Sequence, residues 1–200
     1  EPDLVRRYAP VAAARAAALG AHREAAAQYE RALRSAPDDP RCLAELYDGY
    51  ADALAFVDSW PQPAESRERA IEIWHELGDQ RREGRDHRKL SAVMWRLCRG
   101  PESVTAEERA IELLEPLGND PELGRALASH AFVHWGDDPE SAEAMLLRAE
   151  RMAVELEVRV GRHHAFVAFR ARANGDAVRL GFLLTDDERV GDLVDFRATD

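Results

Sequence analysis

The sequence is poor in the residues that most often announce chemistry. Its two cysteines, Cys42 and Cys98, stand far apart with no Cys-x-x-Cys spacing, which argues against a disulfide framework or a zinc knuckle and fits a reducing cytoplasm. Lysine occurs once, at Lys89, against 26 arginines. That skew reads as a compositional bias toward Arg and Ala, so a single arginine carries little functional information. No stretch approaches about 18 uninterrupted apolar residues, the length that spans a bilayer. No G-x-x-x-x-G-K-[ST] run is present to cradle phosphates. Positive charge is short as well: 27 Lys and Arg against 38 Asp and Glu leave a formal charge of -11, the wrong sign for a surface built to neutralise nucleic-acid phosphates. The opening Glu1-Pro2-Asp3 has no basic region followed by an apolar one, so no secretory leader is expected. The missing initiator Met suggests a processed protein or an excised fragment.

What is present describes a globular chain. With 200 residues, 46% hydrophobic and 32% charged, it is long enough for one large or two small domains with a core that needs no metal or disulfide. The chain also repeats. Tyr29-Glu30-Arg31-Ala32-Leu33 recurs as Arg67-Glu68-Arg69-Ala70-Ile71, as Glu107-Glu108-Arg109-Ala110-Ile111, and more loosely as Leu146-Leu147-Arg148-Ala149-Glu150. The small residue returns at 32, 70, 110 and 149, spacings of 38, 40 and 39. Such a period means stacked helix pairs or propeller blades. The internal spacing of Ala25, Tyr29, Ala32 and Leu33, and of Ile71, Trp74 and Leu77, is three and four, which selects helices.

Breakers divide the chain into helix-length segments: Gly20, Pro37-Asp38-Asp39-Pro40, Pro61 with Pro63, Gly78-Asp79, Gly100-Pro101, Gly118-Asn119 and Gly136-Asp137-Asp138-Pro139. They predict helices over 4–18, 22–35, 41–57, 62–77, 83–98, 105–117, 121–134 and 139–155. Gly78 and Gly118 fit the left-handed position that closes a helix. Asp120 and Asp138 fit N-caps, each followed by a proline at the first helical position.

In the first copy, Gly20, Ala25, Tyr29, Ala32, Leu33 and Pro37 stand at the glycine, small, aromatic, small, apolar and proline positions of tetratricopeptide repeats, which this region resembles. Copy two has Pro63 near the small position and copy three offers Ser103 or Thr105. The period exceeds that family's usual one and is similar to the longer, degenerate repeats of large bacterial regulators. Gly49-Tyr50-Ala51-Asp52-Ala53-Leu54 and the run from Arg67 through Trp74 to Asp79 resemble actinobacterial LuxR-type large ATP-binding regulators, over residues 9–155. In that family an ATPase module precedes the repeats and a helix-turn-helix follows them. The resemblance implies a sensor or interaction region, and carries neither ATP nor DNA binding to this segment.

The composition changes near residue 156. His164 to Ala173 and Val178 to Thr185 are apolar-rich runs around Asn174-Gly175-Asp176, a hairpin signal. Asp186-Asp187-Glu188 then turns into Val190, Val194 and Phe196, which predicts a three-strand antiparallel meander, with Glu157 to Val160 as a candidate fourth strand. The closing run from Asp187 to Arg197 is similar to the last hairpin of NTF2-like (SnoaL-like) domains, which implies a small-molecule-binding or cyclase-like alternative. The sheet edge offers an oligomerisation alternative.

Candidate chemistry is sparse. His130 and His134 lie at i,i+4 and could share a metal, but no third ligand is near in sequence. His163-His164 with Asp192 or Asp195 could supply an acid–base pair in a cavity. Arg81, Arg82, Arg85, His87, Arg88 and Lys89 form a basic run able to meet an acidic partner, or a solvated face diluted by Glu83 and Asp86. Tyr8, Tyr47, Tyr50, Trp60, Trp74, Trp95 and Trp135 would line a groove or fill the core. The expectation is a mainly α, right-handed superhelix of about four helix pairs over 1–155, with a β-rich appendage over 156–200. Its function would be non-catalytic binding of a protein, peptide or small effector on the concave face, with no cofactor, metal, membrane or direct nucleic-acid contact. Arg81, Arg82, Arg85, Arg88, Tyr50 and Trp95 are the candidate binding residues.

Overall fold

The computed structural model describes residues 2–35, 38–57, 62–134 and 138–160. Helices follow one another as α1 (Pro2–Ala18), α2 (His22–Arg34), α3 (Pro40–Ala55), α4 (Gln62–Glu76), α5 (Gln80–Arg96), α6 (Gly100–Leu114), α7 (Pro121–His134) and α8 (Pro139–Val160), with a short 3-10 turn at Glu115–Leu117. The chain divides into two compact units, Glu1–Gly118 and Asn119–Asp200. The first holds the helix pairs α1/α2, α3/α4 and α5/α6; α7 and α8 pack together in the second. No strand occurs among the described residues. The expected meander over 164–197, with His163, His164, Asp192 and Asp195, lies outside them.

Small residues set the core. Ala32, Ala70, Ala110 and Ala149, the recurring column, are all buried. A second column seven residues earlier, Ala25, Pro63, Ser103 and Ala142, is buried too, and it selects Ser103 over the exposed Thr105. Short side chains let helix backbones approach closely. Ala9, Ala32 and Leu46 join α1, α2 and α3, and Ala25, Ala26, Ala53 and Leu54 join α2 to α3. Ala44, Ala70 and Trp74 then join α3 to α4, and Ala64, Leu90, Val93, Met94 and Ala106 join α4, α5 and α6. Ala131, Ala142 and Leu146 do the same between α7 and α8. Trp74 is wholly buried; an indole of that size gains about 4–6 kcal/mol of gross burial energy.

Helix ends follow the local chemistry, with three corrections to the expected boundaries. α5 begins at Gln80 rather than 83 because the Asp79 carboxylate accepts the Arg82 N–H at 3.2 Å, an N-cap. α6 begins at Gly100 rather than 105, since Pro101 fits a first turn whose N–H groups have no helical partner. α8 runs to Val160, so Glu157 to Val160 is helix and not a fourth strand; a long nucleated helix propagates through an alternating sequence that alone would suit a strand. Asp39, Asp120 and Asp138 cap α3, α7 and α8 in the same way, whereas Ala21 and Arg99, which precede α2 and α6, make no side-chain cap. Gly78 (φ 66°) closes α4. At the end of α5 the equivalent left-handed position is held by Cys98 (φ 57°).

Candidate functional site

The column three residues before the recurring alanine holds Tyr29, Arg67, Glu107 and Leu146. In the first pair Tyr29 lies so close to Gly49 of α3 that a Cβ there would sit 2.5 Å from the ring. In the second pair the same position carries Arg67, only 2% exposed. A guanidinium cannot be left unpaired in an apolar joint, and the surrounding residues meet it. Arg67 donates to Asp48 and Asp52 of α3 and, at 3.3 Å, to Asp86 of α5. Asp86 is wholly buried and also accepts from the Trp74 indole N–H at 3.0 Å and from Arg85 at 3.2 Å. Glu107, in the third pair, is buried as well.

Around this centre α3 and α5 are linked by a ladder. Arg41 meets Asp79 at 3.0 Å, Glu45 meets Arg82 at 2.6 Å, Asp48 meets Arg85, and Asp52 meets Lys89 at 2.7 Å. The partners are 37 or 38 residues apart throughout. On each helix the rungs are spaced three or four, which keeps them on one face. Arg82 and Arg41 also lie 4.5 and 5.5 Å over the Trp74 ring, a cation–π arrangement. With Arg67 and Asp86 included, five cations face five carboxylates.

The electrostatics follow from this crowding. Burial disfavours the Asp48 carboxylate, but Arg67, then Lys89 and Arg85, outweigh it and hold the group far below the usual carboxylate range. Asp52 is lowered for the same reason, by Arg67 and Lys89. Asp86 goes the other way: burial, with the neighbouring Asp48 charge, pushes it up to about 6 against the pull of Arg67, Arg85 and Lys89. Arg67 is held above its ordinary value, since Asp52, Asp48 and Asp86 overcome the cost of burial. Elsewhere, burial with Arg109 and His75 lowers His87 to about 4, so its ring is neutral at pH 7. Burial, helped by Asp39 and Glu45, raises the Cys42 thiol, which disfavours the reactive thiolate.

Of the basic run, Arg82 and Arg85 enter the ladder with Lys89, Arg88 is buried on α5, and Arg81 is exposed. The run is therefore not a solvated face: Glu83 and Asp86, expected to dilute it in solvent, are buried. Tyr50 is half-buried among Ala25, Ala26, Ala53 and Leu54, and Trp95 is exposed at the end of α5. Neither joins the ladder. His130 and His134 lie with ring centroids 4.2 Å apart on α7, and no group of three or more His, Cys, Asp or Glu able to hold a metal occurs among the described residues. Asp48, Asp52 and Arg67 escaped the sequence reading. The available signals were a charged residue in an otherwise apolar column and complementary charges repeated at one offset.

A half-exposed rim remains for partners: Arg41, Glu45 and Asp52 each keep about half their side-chain surface in solvent. Among the described residues, one shallow cleft of about 420 Å³ lies between α1 and α2 beside Leu4, Tyr8 and Gln28, and another of about 390 Å³ between α3 and α4 beside Tyr47, Glu65 and Arg69. No helix among the described residues is long and apolar enough to cross a membrane.

No protein-family profile matches the chain, and no curated protein does. Solved structures are similar to it. BtubC (BKLC) from P. vanneervenii superimposes with a TM-score of 0.69 at 19% identity, covering 89% of this chain and 73% of that one. MamA does so with a TM-score of 0.60 at 16% identity, covering 76% and 81%. At such identities the likeness concerns the fold, and that fold is a tetratricopeptide-like helical repeat.

Proposed function

We propose that this chain is a non-catalytic interaction scaffold. In this reading it is the sensor or interaction region of a bacterial signal-responsive transcription regulator of LuxR type, acting in the cytoplasm. In this reading the first helices of successive pairs line a concave binding face, and the α3–α5 ladder belongs to it. Its inner charges are paired with one another, while Arg41, Glu45 and Asp52 remain half-exposed. A peptide, partner domain or small effector would exchange rim contacts without opening the buried centre. Binding would favour one setting of α3 against α5.

The observation that carries the reading is this ladder in a tetratricopeptide-like fold. Nucleophile–base pairs are not what it offers, because each of its carboxylates is engaged by a cation. The test is site-specific photo-crosslinking in the source bacterium, from Glu45 on the ladder and from Arg69 on α4 as control. The expected result is one partner trapped from Glu45 and lost when Arg41→Glu reverses the rim charge outside the Arg67 cluster. Equal trapping from both positions would overturn the reading.

A further inference from the structure

Exposed apolar side chains concentrate on one helix. Eight large hydrophobic residues are exposed among the described residues, and four of them, Leu4, Tyr8, Val11 and Leu19, lie on α1 or directly after it. The Leu19 N–H still donates to the Arg15 carbonyl at 3.2 Å, so helical spacing carries through to it. Steps of three and four place Leu4, Tyr8, Val11, Arg15 and Leu19 on one stripe. Leu4, Tyr8 and Ala12 also line one shallow cleft with Gln28 and Arg31 of α2, so the surface is continuous at that end. The other side of α1 is apolar as well, since Val5, Ala9 and Ala16 pack against α2 and α3. A helix apolar on both sides is suited to be covered on both, whereas a helix that ends a repeat array presents a polar outer side.

The other pairs show what covers this place. Ala13 and Ala25, Ala51 and Pro63, and Ser91 and Ser103 are buried partners 12 residues apart, and they set the register of the first three pairs. In that register Leu4, Tyr8 and Val11 correspond to Cys42, Leu46 and Gly49 on α3, 38 residues on. Cys42 and Leu46 pack with Tyr29, Ala32 and Leu33 of α2, and Gly49 lies under Tyr29. On α5 the places of Leu4 and Tyr8 fall to Arg82 and Asp86, which lie against Trp74 of α4. Leu46 and Asp86 are buried by these contacts, whereas Tyr8 is 56% exposed. The natural occupant of the stripe is therefore a helix, and after a short connection that helix runs antiparallel to the one it covers.

We propose that the stripe joins two copies of this chain, with α1 of each lying antiparallel on α1 of the other. The stripe is complementary to itself in that direction. A two-fold axis between Val11 and Ala12 sets Leu4 opposite Leu19, Val11 opposite Ala12, and Tyr8 opposite Arg15 of the second copy. Each large apolar residue then meets an apolar one or, for Tyr8, a guanidinium able to rest on its ring. Arg15, the one charge on the stripe, is used in the process. The same patch serves both copies, which closes the pair and leaves no free end to extend it.

The test is sedimentation velocity on the whole chain over a wide concentration range, with Tyr8→Glu/Val11→Glu as the variant. The expected result is a monomer–dimer equilibrium whose dissociation constant rises about tenfold or more in the variant. Both residues are exposed, so circular dichroism should show the variant folded. Disulfide trapping reads the direction, in a Cys98→Gly background that removes the exposed native thiol. Val11→Cys should form dimers with itself, and Leu4→Cys should form them with Leu19→Cys and not with itself. A monomer at every concentration, a dimer indifferent to Tyr8→Glu/Val11→Glu, or Leu4→Cys dimers that form alone would overturn the proposal.

Discussion

At the scale of single residues, Arg67 replaces an aromatic anchor by a charge, and the consequence is all-or-none. Three carboxylates converge on it, and removing one partner of a buried ionic cluster leaves the others uncompensated. Arg67→Met should therefore destabilise the chain by about 3–5 kcal/mol, as read from urea denaturation followed by circular dichroism. Asp86 makes the cluster sensitive to pH. Its folded value of about 6 lies above the unfolded value of about 3.9, so the native state holds more protons between them and stability falls as pH rises through that window. Asp48 and Asp52 are lowered, so their contribution is present above about pH 4 and is lost on acidification below it. The expected profile in urea titrations peaks near pH 4–5 and declines to pH 6 by at most about 1.4 kcal/mol per unit; Asp86→Asn should abolish that decline. Cys98 holds a left-handed backbone that costs a side-chain-bearing residue about 1–2 kcal/mol. Cys98→Gly should raise stability by about 1 kcal/mol, visible as a higher midpoint.

At the scale of elements, each helix is positioned by what caps it and by how closely its neighbour approaches. Asp79 both caps α5 and forms a ladder rung with Arg41, whereas Asp39 only caps α3 among the bonds of its side chain that the geometry fixes. Loss of a cap costs about 0.5–2 kcal/mol. Asp79→Ala should lie at the upper end of that range and Asp39→Ala at the lower, in paired thermal melts. Gly49 is the contact under Tyr29. Gly49→Ala gains about 1 kcal/mol of helix propensity but drives a methyl into the ring, and overpacking costs about 1–3 kcal/mol. The net effect expected in denaturation is a loss, and Tyr29→Leu in the same chain should recover part of it by removing the ring.

At the scale of the molecule, the chain is an array whose joints differ in chemistry: aromatic on glycine between the first two pairs, ionic between the second and third. Three pairs form one compact unit, Glu1–Gly118, which meets the minimum of about three repeats that a stacked core needs. A fragment of residues 1–118 should be helical by circular dichroism and should melt cooperatively. A non-cooperative melt would show that the unit needs the remaining residues. The sequence by itself determined the helical repeat, because periodicity, proline and glycine placement and aspartate caps are local signals; the errors at 83 and 105 were errors of boundary, whereas the candidate strand over 157–160 is helix. It located the basic run on α5 but not the role of that run. Whether Arg85 faces water or Asp48 depends on a residue 37 positions away, and charges repeat too often along a helix for spacing alone to name their partners. Only the tertiary structure decided that Arg67, Asp86 and Trp74 share one dry joint, because burial is a property of what packs from elsewhere in the chain.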